Sequence, residues 1–420
     1  MFKFIAFICL AAVATLARSE PLSFASALQV AARSSPDIEQ QSASVEAARS
    51  ASIAAGRLPD PKLSFGIQDL PVSGPAQWSL NRDDFTMRTV GLTQDLPNRA
   101  RREAQTASAA AAVETAVAQR RVSVLTVRRD TAIAWIDRYY IERQSGLFDE
   151  LDRENILFDQ AVRAQFAAGK GTPADLVEPR EEAAELADRR DELAAKIATS
   201  KGRLKRYVGL AGDESLAGEP PLLTLDTVHL REHVHEHPDL AVFVPMTQMA
   251  QAEVHEAQAA KRPDWGVELE YGHRGSGFSD MVSLKFTLDL PLFPKTRQDP
   301  QIEAKRQELV RVESERDAML RDHTQELEAD LAAYEVVTRQ LARLRETHLP
   351  LAREKVDSQF ATYRAGKSDL TAVLAARREL INRRMKEVEL DGKRAAAAAR
   401  LYYFYGPGAQ GADVATEVSR

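Results

Sequence analysis

Two periods run along this chain. In WGVELEYGH, Trp265, Val267, Leu269 and Tyr271 fall on one side while Gly266, Glu268, Glu270 and Gly272 fall on the other, the period of two that sends successive side chains to opposite faces of a strand. MVSLKFTLDL repeats it, with Val282, Leu284, Phe286, Leu288 and Leu290 opposing Ser283, Lys285, Thr287 and Asp289. KLSFGIQD places Leu63, Phe65 and Ile67 on one face, and FTMRTVGLTQDL alternates least cleanly of the four. Strands are expected over about 62–69, 86–95, 265–273 and 281–290.

The second period is helical. No proline occurs between Arg99 and Gly171, and Val122, Leu125, Ile133, Ile136 and Leu147 recur at helical spacing. An unbroken helix there would be on the order of 100 Å long at 1.5 Å per residue. A second long helix is expected from Gln301 to Ala365, broken or kinked by Pro350 in THLPLAREK, and a return helix from about Asp369 to Tyr403. No globular core needs helices of this length, so they require partners.

Both periods occur twice, in the same order. SPDIEQQSASVEAARSASIAAGRLPDPKLSFGIQ, from Ser35, parallels HPDLAVFVPMTQMAQAEVHEAQAAKRPDWGVELEYG, from His237. FAAGKGTPADLVEPREEAAEL parallels YRAGKSDLTAVLAARREL, and matched points lie about two hundred residues apart, the mark of an internal duplication. The expected organisation is a signal segment over 1–19, a first repeat over 20–218 with a helical hairpin at about 99–208, a second over 219–405 with a hairpin at about 301–403, and a disordered tail over 406–420.

Composition narrows the class. Charged residues make up 28% and aromatics only 6%, the balance of long helices with a narrow apolar seam. A net charge of −6 leaves no basic excess to neutralise phosphates, which excludes a nucleic-acid binder. MFKFIAFICLAAVATLARSEP reads as a secretory signal, with Lys3, an apolar run to Leu16 and small residues before Glu20. The one cysteine, Cys9, lies in that run; Ile8 before it and the apolar residues after it argue against lipid attachment. The exported chain would then hold no thiol. Past the signal no apolar run approaches the ~20 residues of a membrane-spanning helix, so any crossing must use strands.

Strands with one apolar and one charged face suit a transmembrane barrel with a polar lumen, and equally a soluble sheet half-covered by helices. Four strands cannot close a barrel and open edges are not tolerated in lipid, so the membrane reading demands oligomerisation.

The two strand-to-helix corners, QDLPNRARRE and LDLPLFPKTRQDPQIEAKRQ, together with LPLAREKVDSQFATYRAGKSDLTAVLAARREL, resemble the TolC-type outer membrane factors over nearly the whole mature chain. The second corner and the Leu-Pro-x-Ala opening of the second hairpin are most similar to the heavy-metal efflux branch, the CzcC/CusC-like proteins. The resemblance implies a mostly α fold with a transmembrane β portion. Three chains would form a homotrimer with a 12-stranded outer-membrane barrel continued by a periplasmic α-helical barrel. It further implies the exit duct of a tripartite efflux system, passively conducting heavy-metal cations from an inner-membrane RND pump and a periplasmic adaptor (membrane fusion protein). Drugs, organic solutes or a type I secretion cargo are the alternatives, and a periplasmic coiled-coil adaptor is a further one, disfavoured by two tandem hairpins and four amphipathic strands. Neither catalysis nor a cofactor is implied, and no His-Glu-x-x-His, Gly-x-Ser-x-Gly or Cys-x-x-Cys pattern supports either.

Candidate functional residues follow from this frame. At the hairpin tips, Gly169 and Gly366 permit the turn. Asp175 and Asp369 read either as helix N-caps or, by the resemblance, as residues that help close the pore. The positions matching the family's paired tip acids are Ala372 and Ala375, a departure from a cation-binding acidic ring. The GKGT string at Gly169 lacks the first glycine of a phosphate loop. Glu268, Glu270, Lys285 and Asp289 would line the lumen if the apolar face meets lipid. Arg99, Arg101 and Arg102 would meet lipid head groups or solvate a helix start. In TVHLREHVHEHPD, His229, His233 and His237 recur at i, i+4 and i+8 with His235 between, as metal ligands or as a solvated helix face. Their first-half counterparts are Ala27, Ala31, Ser35 and Arg33, so the fold does not require them.

Overall fold

A computed structural model describes residues 21–170, 172–275 and 277–407. The expected signal segment with Cys9, and the tail beyond Pro407, lie outside the described residues. The first half runs β1 (Leu22–Ser23), α1 (Phe24–Ser34), α2 (Pro36–Ala54), β2 (Lys62–Gln68), β3 (Met87–Leu96), α3 (Arg99–Arg143), α4 (Ser145–Ala167) and α5 (Glu178–Val208). The second runs β4 (Leu216–Ala217), α6 (Thr227–Glu232), α7 (Pro238–Ala241), α8 (Phe243–Ala259), β5 (Trp265–Arg274), β6 (Met281–Leu288), α9 (Gln298–Arg343), α10 (Leu349–Arg364) and α11 (Leu370–Phe404).

The helix expected to run unbroken from Arg99 ends instead at Arg143, and a new one starts at Ser145. The cause is local: Ser145 and Gly146 are poor helix formers in sequence, and such pairs are common sites of a kink. In the second half the interruption is a π-helical turn, Leu344–His348, which delivers Pro350 to the first turn of α10. There its missing N–H costs nothing.

The chain divides into two units. The first comprises residues 1–35, 127–224 and 332–400. Its β1 and β4 pair in parallel, Leu22 with Leu216 and Ser23 with Ala217. This short ladder is anchored from α3 by Trp135, which is fully buried, donates from Nε1 to the Leu22 carbonyl at 3.1 Å and meets Phe24 edge to face. One turn on, the buried guanidinium of Arg138 donates to the carbonyls of Gly212 (2.8 Å) and Glu214 (2.7 Å) and pairs with Glu142. Five donors in a fixed fork satisfy these acceptors together, which is how a charge is buried here at acceptable cost. Leu147, Phe148 and Leu151 of α4, Leu186 and Leu193 of α5 and Ile381 of α11 form one apolar seam. Leu341, Leu344, Leu349 and Leu390 form another. Burial of each such side chain contributes ~1.5–3 kcal/mol. Flanking ion pairs, Arg384 with Glu150 and Arg345 with Glu387 and Asp391, set which helices face one another.

The second unit comprises residues 36–126, 225–331 and 401–420 and holds the four-stranded antiparallel sheet, in the order β2-β3-β5-β6. Phe243 and Ala250 of α8 pack on Val312 of α9. At the exit of β3, Asn98 acts as N-cap of α3: its Oδ1 accepts from the Arg101 N–H (3.0 Å), while its own N–H (2.7 Å) and Nδ2 (2.8 Å) donate to Asp264 Oδ1. Asp264 stands immediately before β5, so one carboxylate fixes the strand-to-helix corner to the next strand.

Candidate functional site

The sheet carries two chemically opposite faces, and strand register aligns them across all four strands. Leu63, Leu92, Leu269 and Leu284 form one cross-strand row, and Phe65, Val90, Tyr271 and Val282 the next. This face is exposed: Phe65 at 74%, Phe286 at 63% and Leu284 at 59%. A contiguous apolar surface of this kind marks a contact with lipid or protein. The opposite face aligns Lys62, Thr93, Glu268 and Lys285 in one row and Ser64, Gly91, Glu270 and Ser283 in another. Lys285 pairs with Glu268 at 3.3 Å and Lys62 with Asp95 at 2.6 Å. Asp289 lies one residue past β6, where its N–H donates to the Asp264 carbonyl, and so belongs to the corner.

Glycines gather on the polar face. Gly66, Gly91, Gly266 and Gly272 all share it by register. A Cβ at Gly91 would meet Ser64 Oγ at 2.6 Å, and one at Gly266 would run into Thr287 Oγ1. The polar side is therefore the crowded one, as on the concave side of a curved sheet. Neither edge strand, β2 or β6, has a second strand partner among the described residues.

The basic cluster after the first corner is engaged within the chain: Arg101 reaches Asp264 at 3.0 Å and Arg99 reaches Glu103 at 2.7 Å. Among the described residues, no helix is long and apolar enough to cross a membrane.

At the two tips the backbone is the same. Gly169 (φ +72°) and Gly366 (φ +68°) each follow a helix end. Lys170 N–H bonds to the Gln165 carbonyl and Gly169 N–H to that of Phe166; Lys367 bonds to Thr362 and Gly366 to Tyr363 in the same pattern. This is the six-to-one and five-to-two arrangement of a glycine C-cap. Beyond the turns the tips differ. Asp369 caps α11, accepting from the Ala372 N–H (3.0 Å) and the Thr371 hydroxyl (2.5 Å). These bonds, the Thr371 hydroxyl first, hold its carboxyl below the usual range. Asp175 caps no helix: α5 starts three residues later, and the Asp175 carboxylate accepts instead from the Thr172 N–H at 2.7 Å.

The four histidines do not share a helix face. α6 ends at Glu232, a 3-10 turn, Val234–Glu236, follows, and Pro238 holds His237 before it in an extended conformation. His229 and His233 stack with ring centroids 3.9 Å apart, and His235 is exposed. His237 turns inward and is 4% exposed, beside His323 of α9 at 5%. Among the described residues, His237, Asp239 and His323 form a group with metal-ligand chemistry, their ligand atoms within 4.8 Å of one another. Neither Asp239 nor His323 is singled out by sequence spacing.

The comparisons with known proteins agree with this geometry. Residues 230–406 match the family model "Outer membrane efflux protein". Among curated proteins no match is found. Solved structures with a similar fold include CusC (16% identity, 91% of this chain and 92% of that one, TM-score 0.74). VceC of Vibrio cholerae is similar at 18% identity, over 91% of this chain and 96% of that one, with a TM-score of 0.73. The CmeC outer membrane channel of Campylobacter jejuni is similar at 12% identity, over 92% and 86%, with a TM-score of 0.76. At these identities the likeness is one of fold, and it extends over first half and second alike. Residues 230–406 thus match the outer membrane efflux protein family model, and the chain shares the fold of these outer membrane channels.

Proposed function

We propose that this chain is one protomer of an outer-membrane exit duct of a tripartite efflux system. The observation that carries the reading is the sheet: one apolar face exposed along every strand, one polar, glycine-crowded face, and two edges without a strand partner. In lipid an open edge leaves backbone groups unsatisfied at several kcal/mol each, whereas closure with other copies removes the edges altogether. Three copies, each an internal repeat of 20–218 and 219–405, contribute four strands apiece to a 12-stranded barrel. The apolar rows meet lipid, and Glu268, Glu270 and Lys285 line the lumen with Asp289 at its inner rim. The helical hairpins line a periplasmic conduit whose tips, at Gly169, Asp175, Gly366 and Asp369, meet a periplasmic adaptor and an inner-membrane RND pump. The duct conducts passively and performs no covalent chemistry.

The cargo is heavy-metal cations. The support is the second corner and the Leu-Pro-x-Ala hairpin opening, which are similar to the metal branch; the polar face of the strands, with Asp95, Glu268 and Glu270 against Lys62, Arg274 and Lys285, is balanced in charge. Deletion of the gene tests it, with growth and intracellular metal measured under Cu, Ag, Zn, Co and Cd beside dyes and antibiotics. Selective metal sensitivity with raised metal content is expected. Sensitivity to organic compounds alone would refute the metal cargo and leave the duct standing, whereas release of the protein from membranes without detergent would refute the duct.

A further inference from the structure

We propose that His237, Asp239 and His323 bind one divalent transition-metal ion of the zinc class, which clamps the Pro238 turn to α9. The donor set is two imidazoles and a carboxylate, the combination that suits Zn²⁺ and its first-row neighbours and disfavours Mg²⁺ and Ca²⁺. Its placement is already close to what an ion needs. Asp239 Oδ2 lies 3.1 Å from His323 Nε2 and 3.7 Å from His237 Nδ1. Donors around a tetrahedral zinc with bonds of 2.0–2.2 Å stand about 3.3–3.6 Å apart, so small side-chain rotations suffice. Nδ1 of His237 accepts from the Asp239 N–H at 3.2 Å, a bond that its one lone pair gives up when Nδ1 takes the ion. The ion enters between His323 Nε2 and Asp239 Oδ2.

Two further observations set this group apart from an ordinary buried histidine. Both rings lie under Phe404 and Tyr405, with His237 centroids 4.4 and 5.4 Å from theirs, so the donors sit in a dry pocket where charge pairing is strong. The first half, moreover, builds the matching turn without imidazole. There the sequence is Ser35-Pro36-Asp37, and the α3 residue that meets it is Ser123, whose Oγ donates to the Asp37 carbonyl at 3.3 Å. Packing of a Pro-Asp turn on a long helix therefore does not call for histidine at either position, yet the second half has one at both. The ion proposed here is a resident one, so the inference holds whatever the duct exports.

The test uses the full chain in detergent, stripped with chelator and titrated with CoCl₂, followed by its visible ligand-field absorption and by displacement with ZnCl₂. One equivalent of Co²⁺ per chain is expected. It should be lost in a His237→Ser, His323→Ser double variant and kept in a His229→Ala, His233→Ala variant. Asp239→Asn should keep the fold and weaken Co²⁺ by about tenfold or more. Absence of saturable binding in the unaltered chain, binding that survives the double serine variant, or binding that follows His229 and His233 would each overturn the site.

Discussion

At Gly169 and Gly366 the chain takes a left-handed conformation that an L side chain resists, yet a Cβ at either position would meet nothing within 4 Å. The penalty for Gly→Ala there is thus conformational alone, ~1–2 kcal/mol, with Asn better tolerated than Ala. Thermal unfolding of each single variant, compared with the parent, checks this, and an equal cost at the two sites is expected because their hydrogen bonds match. Asp369 adds a pH dependence of defined sign. Its folded pKa is depressed, so its contribution is complete above the ordinary carboxylate value of 3.8 and is lost as pH falls through the depressed value. Asp369→Ala should cost ~1 kcal/mol at neutral pH, whereas Asp369→Asn, which can still accept from Ala372, should cost a few tenths and remove that acid dependence. Side-chain roles of this kind were only half visible in sequence. Asp175 and Asp369 look alike after a glycine turn, but two further residues, Leu176 and Val177, separate Asp175 from α5, and no spacing rule reveals that. The histidines show the converse: a ladder at i, i+4 and i+8 disappears because α6 ends at Glu232 and Pro238 opens a new turn, and the residue that faces His237 is supplied by α9, far along the chain.

Among the elements, β5 and β6 were legible because each pairs a charged face with an apolar one, so the period of two survives reading. β3 was not, because its polar face mixes Met87 with Thr89, Gly91, Thr93 and Asp95 and its apolar face contains Arg88, leaving little contrast. The break after Arg143 was missed because the apolar period continues to Leu147 through Ser145 and Gly146; periodicity reports the buried face, not the continuity of the backbone. The corner at Asn98 permits a sharper test. Its Nδ2 donates to Asp264, so Asn98→Asp replaces a donor by a second carboxylate and should destabilise more than Asn98→Ala, itself ~1–2 kcal/mol, by denaturant or thermal unfolding. The sheet faces can be compared directly. If the apolar rows meet lipid, Phe286→Arg should cost ~2–4 kcal/mol and deplete the outer-membrane form, while Ser283→Arg on the polar face should be tolerated. Equal tolerance of both, measured as the amount of detergent-extracted oligomer, would assign the apolar face to something other than lipid.

For the whole molecule the unresolved quantity is the fate of the sheet edges, and backbone chemistry decides what closure must look like. In a strand with one neighbour, alternate N–H groups point away from the ladder, so β2 (Lys62–Gln68) and β6 (Met281–Leu288) each leave about half their donors without a strand partner within one chain. β3 and β5 are flanked on both sides over Met87–Thr93 and Trp265–Gly272. A barrel closed between copies makes all four strands equivalent in this respect. Hydrogen exchange on the outer-membrane form should therefore show uniform protection along β2, β3, β5 and β6. Heating to dissociate the proposed trimer, followed by gel migration at one third of the assembly mass, should restore fast exchange at alternate residues of β2 and β6 first. Fast exchange at those alternate residues in the intact membrane form would mean that the edges are not joined strand to strand, and the duct would then have to be built without the barrel on which its proposed function depends.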